Sequence, residues 1–307
     1  MTEPESKSTA VTIFADRSFG PEISRFLFGK FTEHLGRNVY GGAWAETVEN
    51  PWFASLGQWP NPDVVRQRLQ DLTRIYELPD LAACTTQGLA PYWMPRGQVQ
   101  ASLDRGTCGH AQRITTASKG SGLRTQVFLP LHRQRGYHLI IRAHANKTAR
   151  TIVRLVTLSG EELAWADVTF HRGGWQTIER TLRRVPGRDR PTNTPILLDI
   201  QLEHPVTIWL DRCSPIPADR HYGWDPEVVE LMKEAALPLL RLPGGNFSSG
   251  YHWRDGVGPT ENRPILPNPA WPEIEWNDAG TDDWLRLCDL VGCEAMICVN
   301  GGNGTPE

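Results

Sequence analysis

The sequence predicts an α/β protein in which a barrel-type parallel sheet is interrupted by an inserted β-sandwich. Three observations lead there. Helical periodicity occupies both ends of the chain, short β-rich runs fill the middle, and the apolar strands of the outer blocks stop abruptly at polar residues. A chain of 307 residues has room for two medium domains, or for part of a larger barrel carrying an insert.

In the first block, FLFGKFTEHLG (Phe26 to Gly36) starts as an apolar run of strand length and ends in charges, which predicts a buried strand leading into a polar loop. Asn61 and Pro62 then supply a cap and an N1 proline. Val65, Leu69, Leu72 and Tyr76 follow at helical spacing, so a helix is expected over 62–78.

From about Pro79 to Pro217 the period shortens. The runs YHLIIRAH, RTIVRLVTL, ELAWADVTF, WQTIERTL, PILLDIQL and VTIWLD predict strands of a sandwich, with turns at Ser159-Gly160 and Gly173-Gly174. The Pro-rich stretch RVPGRDRPTNTP reads as a surface loop, and no helix of ordinary length is expected in this block.

The 3.6 period then returns. Asp225 caps, Pro226 takes N1, and Val228, Met232 and Ala235 form a stripe running into the strand LPLLRL. A second unit has Thr281 as cap, Trp284, Leu287, Cys288 and Val291 as stripe, Gly292 as stop and CEAMICVN as strand. Two helix-then-strand units in succession predict a parallel sheet buried on both faces.

Composition narrows the function. A formal net charge of -3 leaves no basic footprint, which argues against nucleic acid and anionic membrane surfaces as partners. MTEPESKSTA has no apolar core and no later stretch is long enough to span a bilayer, so a soluble, cytoplasmic protein is expected. The six cysteines show no C-x-x-C spacing and read as reduced, packed thiols. No His/Cys/Asp cluster has metal-ligand spacing, and neither a metal nor another cofactor is expected. Twelve tryptophans are many for this length, and aromatic faces suit sugar rings.

In a barrel, chemistry gathers at the C-terminal ends of the strands. Those ends here read Glu33-His34, then Arg241 to Asn246, then Asn300-Gly301-Gly302-Asn303, and should converge on one pocket. Pro243 and Gly244-Gly245 permit a tight turn and close approach to a ligand, with the Arg241 fork and the Asn246 amide suited to hydroxyls. Alternatively Arg241 pairs with Glu33 and the glycines are only a turn. A phosphate cradle is disfavoured, since GGNGTPE lacks the lysine of G-x-x-x-x-G-K-[ST].

FGKFTEHLGRNVYGG, LRLPGGNFSSGYHWRDGVGPTENRP and the AW of LPNPAW resemble glycoside hydrolase family 51 α-L-arabinofuranosidases in order and spacing. The resemblance covers about the first fifty residues and those after about Pro217. It implies a (β/α)8 TIM barrel of which this chain carries the first three βα units, with VTIFAD as a strand of an accessory sandwich. Carried over by residue, it implies that Glu33 binds arabinose hydroxyls, that Arg241 and Asn246 line the same subsite, and that Trp271 lies toward the leaving group. Trp253, Asp255 and Asn300 are expected to support that shell, although WRDG could equally hold its own loop as a buried pair.

The middle block resembles the carbohydrate-binding-module-like jelly rolls found in longer members. In it Tyr92, Trp93 and Trp165 could stack on sugar, but core positions are preferred; Asp211 could hold calcium, but a hydrogen-bond acceptor is preferred. The expected division is 1–78 for the first sandwich strand and first βα unit, 79–217 for the insert, and 218–307 for the second and third barrel units.

Retaining hydrolysis needs an acid/base and a nucleophilic carboxylate about 5 to 5.5 Å apart. By the resemblance these follow the fourth and seventh barrel strands, so both are expected beyond Glu307 and the 307 residues alone are expected to be inactive. The implied function is exo-acting release of terminal arabinofuranose from arabinan or arabinoxylan oligosaccharides, in L-arabinose metabolism and hemicellulose degradation, with homo-oligomers open to the full-length enzyme. The alternatives are another retaining barrel glycosidase, such as a β-xylosidase, or a non-catalytic carbohydrate-binding protein.

Overall fold

The computed structural model describes residues 9–18, 20–133, 136–185 and 195–305. Most of the Pro-rich stretch expected as a surface loop, residues 186–194, lies outside them.

The first strand, β1, is only Lys30–Phe31, preceded by a 3-10 turn at Arg25–Phe28 that Ser24 caps through the Phe26 N–H. The run FLFGKF is therefore neither long nor buried, with Leu27 and Phe28 largely exposed. VTIFAD forms no strand: Val11 and Ile13 are more than four-fifths exposed and have no ladder partner.

Helix α1 spans Pro62–Tyr76, and the Asn61 side chain accepts from Asp63 and Val64 as an N-cap. Val65 and Leu69 are its buried positions, and Glu77 ends it in the left-handed conformation. A short helix α2, Leu81–Thr86, follows.

Eleven strands come next: β2 (Trp93–Arg96), β3 (Val99–Arg105), β4 (His110–Thr116), β5 (Gly122–Val127), β6 (Tyr137–Ala145), β7 (Ala149–Thr157), β8 (Glu162–Phe170), β9 (Gln176–Thr181), β10 (Arg183–Arg184), β11 (Ile196–Leu202) and β12 (Thr207–Pro217). They form two antiparallel sheets, in the orders β10-β8-β7-β11-β5-β2 and β3-β4-β12-β6-β9. Burial alternates with period 2, strictly so along β6, and Leu139, Ile141 and Ala143 share one continuous core with Val153, Leu155, Leu198 and Ile200. Tyr92 and Trp93 belong to that core, as preferred. Trp165 does not: it is half-buried, with the Arg183 guanidinium 4.8 Å from its ring centroid. Asp211 accepts from the Thr107 hydroxyl at 2.5 Å and lies 3.5 Å from Arg142.

Helix α3 (Pro226–Glu234) has Asp225 as cap, but its buried position is Val229, while Ala235 is exposed. Strand β13 (Leu239–Leu242) follows, then a hairpin of β14 (Leu266–Pro267) and β15 (Ile274–Glu275), helix α4 (Thr281–Val291) and β16 (Glu294–Ile297). The cap of α4 is Gly280 rather than Thr281, because the Asp283 carboxylate accepts the Gly280 N–H at 2.9 Å. Gly292 ends α4 in the left-handed region at φ 79°.

The three outer strands form one parallel sheet in the order β1-β13-β16. The helix stripes from α3 and α4 cover one side of β13, packing Val229, Trp284 and Leu287 with Leu240 and Leu242. Burial on both faces is not met, since every residue of β16 is exposed and Phe31 is 54% exposed. The architecture is a sheet-rich α/β chain with two antiparallel sandwich layers beside a short parallel sheet.

Candidate functional site

The ends of β1 and β13 are drawn together by backbone hydrogen bonds. Thr32 N–H donates to Arg241 O at 3.3 Å, and Gly244 N–H donates to Thr32 O at 2.7 Å. Beyond that clasp, the chain after β13 folds over Glu33. A methyl on Gly245, which sits at φ +61°, would lie 1.8 Å from Glu33 Oε2, so only glycine lets this backbone pass. Pro-Gly-Gly is thus a device for bringing backbone against a carboxylate.

Glu33 is only 7% exposed, yet it has no ion-pair partner among the described residues. Its Oε1 accepts from the Phe247 backbone N–H at 3.0 Å and from Trp271 Nε1 at 2.8 Å. No protein donor reaches Oε2 among the described residues, leaving that oxygen able to accept from a ligand hydroxyl. The alternative in which Arg241 neutralises Glu33 is not what forms. Arg241 stands beside Phe31 in register, its guanidinium 4.8 Å from that ring's centroid, and its buried Nε has no protein partner among the described residues.

Asn246 opens the 3-10 turn Asn246–Ser249 and is exposed, with no side-chain hydrogen bond among the described residues. The loop after β16 reaches the same turn, where a methyl on Gly302 would meet Ser249 O at 2.3 Å. Asn300 is committed to that loop, its Oδ1 accepting from the N–H groups of Gly302, Asn303 and Gly304. The three strand ends therefore lie together, and Glu33, Arg241, Asn246 and Trp271 are on segments that touch.

Trp253 and Asp255 do not join them. Trp253 is 57% exposed, so the buried-pair reading of WRDG fails, and neither residue bonds to Glu33, Arg241 or Asn246. Burial pushes the Asp255 carboxyl up, with His252 opposing.

Behind Glu33 lies a polar layer that the sequence did not single out. His34 Nδ1 is 2.6 Å from Glu275 Oε2, both side chains being almost fully buried. Glu275 Oε1 also accepts from Tyr40 Oη at 2.5 Å and Asn277 N–H at 2.8 Å. Burial, then the Glu275 charge, pushes the Tyr40 hydroxyl up. Asn268 ties this layer to the site, donating to His34 O at 2.8 Å while its Oδ1 accepts the Ala270 and Trp271 N–H groups at 3.0 Å. The alternation in EIEW was the available signal for Glu275.

Among the described residues no group of three His, Cys, Asp or Glu side chains could hold a metal ion. The six cysteines are free thiols, and among the described residues no helix is long and apolar enough to cross a membrane.

The α-L-arabinofuranosidase 1 domain family matches residues 231–306. α-L-Arabinofuranosidase C of Emericella nidulans is 45% identical over 89 residues, covering 29% of this chain and 18% of that protein. The intracellular exo-α-L-arabinofuranosidase of Bacteroides ovatus is 44% identical over 101 residues, covering 33% and 19%. The matched stretch thus spans under a fifth of these relatives' length. In fold, the chain superposes on the arabinose-bound MgGH51 α-L-arabinofuranosidase with a TM-score of 0.69 at 16% identity, over 91% of this chain and 45% of that one. The segment that carries Arg241, Asn246 and Trp271 is therefore similar in sequence to α-L-arabinofuranosidases, and the chain resembles one of them in fold over most of its length.

Proposed function

We propose that these residues form the sugar-gripping side of a retaining, exo-acting α-L-arabinofuranosidase. The observation that carries this is the buried, unneutralised Glu33 carboxylate, oriented by Trp271 and the Phe247 N–H at the ends of two parallel strands. Glu33 Oε2 accepts a furanose hydroxyl, Asn246 offers an amide from the exposed turn, and Trp271 presents an indole beside them. The three parallel strands are read as the first three of a (β/α)8 barrel, with 79–217 as the insert between them.

In this reading the residues gathered here grip the sugar and do not supply the acid/base and nucleophile. The engagement of the buried carboxylate behind Glu33, that of Glu275, with Tyr40 and Asn277 is in keeping with it. The substrates are arabinan and arabinoxylan oligosaccharides taken up into the cytoplasm, in keeping with the name of the Bacteroides ovatus relative.

Calorimetric titration of this chain with L-arabinose tests the grip. Binding that Glu33→Gln and Asn246→Ala both weaken supports it; binding indifferent to both overturns it. A full-length enzyme that cleaves p-nitrophenyl β-D-xylopyranoside and spares the α-L-arabinofuranoside would give the β-xylosidase reading instead.

A further inference from the structure

A cavity of about 490 Å³ lies between the sandwich, α1 and the segments that flank the Glu33 site. Its size is within the range of about 300–1,000 Å³ typical of small-molecule sites. It lies on the far side of His34 and Asn268, and neither Glu33, Arg241 nor Asn246 lines it.

Its wall has two unusual properties. First, it holds a chain of aromatic rings: the Trp59 centroid is 6.0 Å from Tyr92 and 6.1 Å from Trp276. Second, five wall residues keep buried polar atoms with no protein hydrogen-bond partner among the described residues. These are both ring nitrogens of His34, Trp59 Nε1, Tyr92 Oη, both amide atoms of Gln126, and Glu273 Oε2. Buried donors and acceptors are almost always satisfied, and each unsatisfied one is destabilising. Donors and acceptors are both represented, which suits hydroxyl groups, since each hydroxyl can give and receive.

The charges of the wall point the same way. Arg37 pairs with Glu49 at 2.7 Å, and Arg68 pairs with Glu273 Oε1 at 2.9 Å. Two further carboxylates line the wall: Asp71 pairs with Arg74 at 3.2 Å, and burial pushes Glu46 up to about 7, so it is largely protonated below that pH. The cavity therefore offers no unmatched guanidinium for an anion, and among the described residues no group of three His, Cys, Asp or Glu side chains that could hold a metal ion. Aromatic faces, mixed unpaired hydrogen-bonding atoms and compensated charge together select an uncharged ligand rich in hydroxyls.

We propose that this cavity is a second binding site, separate from the Glu33 site, for a neutral saccharide of one or two rings. It shares one structural element with the Glu33 site. Asn268 borders the cavity and also holds the backbone of Trp271, so a ligand here presses on the residue that orients Glu33.

The test is a titration of the 307-residue chain with L-arabinose, D-xylose and xylobiose, read by calorimetry and ligand-observed NMR, with thermal melting of each variant. Gln126→Leu should lower affinity by about tenfold while holding or raising the melting temperature, because it deletes both unpartnered amide atoms. A merely structural glutamine would instead lose stability. Trp59→Phe, which removes the N–H and keeps an aromatic face, should weaken binding in the same sense. Asn246→Ala, at the other site, should leave the affinity for D-xylose and xylobiose within about twofold, whatever it does to that for L-arabinose. The proposal is overturned if none of the three sugars binds at millimolar concentration, if both wall variants bind like the parent, or if Asn246→Ala abolishes all binding. Preference for an anionic sugar acid over its neutral parent would overturn the ligand class.

Discussion

Trp271 and Glu33 are 238 residues apart in sequence and joined by a 2.8 Å hydrogen bond from the indole N–H to the carboxylate. This bond links the hairpin after β13 to the end of β1. It fixes the carboxylate plane on one side and frees the other oxygen for a ligand.

Trp271→Phe keeps the aromatic face and deletes the donor. Glu33 then retains only the Phe247 N–H on Oε1. Hydrogen bonds to charged groups contribute about 1.5–3 kcal/mol, so L-arabinose affinity should fall by about tenfold or more, measured by calorimetry. Unchanged affinity would show that the indole N–H does not orient Glu33.

Gly245→Ala places a methyl against Glu33 Oε2 at a backbone angle of φ +61°. Strain and displacement act together, and the expected loss is about 2 kcal/mol or more in urea unfolding. Gly160→Ala, also at positive φ but with open space around it, should be milder because only the backbone strain applies.

Glu275→Ala leaves two buried donors without their acceptor, the Tyr40 hydroxyl and the Asn277 N–H, and removes the carboxylate oxygen that lies 2.6 Å from His34 Nδ1. At about 1–3 kcal/mol for each stranded donor, stability should fall by several kcal/mol. Tyr40→Phe removes one donor and leaves the Asn277 N–H bonded, so its cost should be about half as large or less. Equal melting temperatures for the two variants would mean that Glu275 is not the hub.

Burial pushes the Glu46 carboxyl up to about 7, opposed by the Val48 N–H, with Asp278 raising it and Arg212 lowering it. A carboxyl whose folded pKa exceeds its unfolded value binds its proton more tightly when folded. Its contribution to stability is therefore full below about 4.5 and is lost as pH rises toward about 7. Glu46→Gln can keep the acceptor for Thr47 and Val48 N–H without titrating. The slope of melting temperature against pH between about 5 and about 7 should flatten in this variant; an unaltered slope would assign it to other groups.

Local sequence determined what local physics controls. Asn61-Pro62 and Asp225-Pro226 start helices because a short polar side chain meets the first free N–H groups and proline needs none. Gly292 stops one because it accepts the left-handed conformation. Runs such as ELAWADVTF became strands, here β8, because period-2 apolarity has one way to bury itself. β2 to β5 were less legible: VQASLDR and HAQRITT mix polar and small residues, and the pairing of β3 with β4 and of β4 with β12 holds them. The strand ends were readable as a set, but their chemistry was not. Whether Arg241 neutralises Glu33, whether Asn300 faces a ligand or its own loop, and whether Trp253 is buried depend on contacts with chain segments that local spacing does not relate. Only tertiary structure set Arg241 against Phe31, turned Asn300 inward on its loop, and placed Glu275 behind His34. Electrostatic partnership and burial are properties of three-dimensional neighbours, which no spacing along one chain segment encodes.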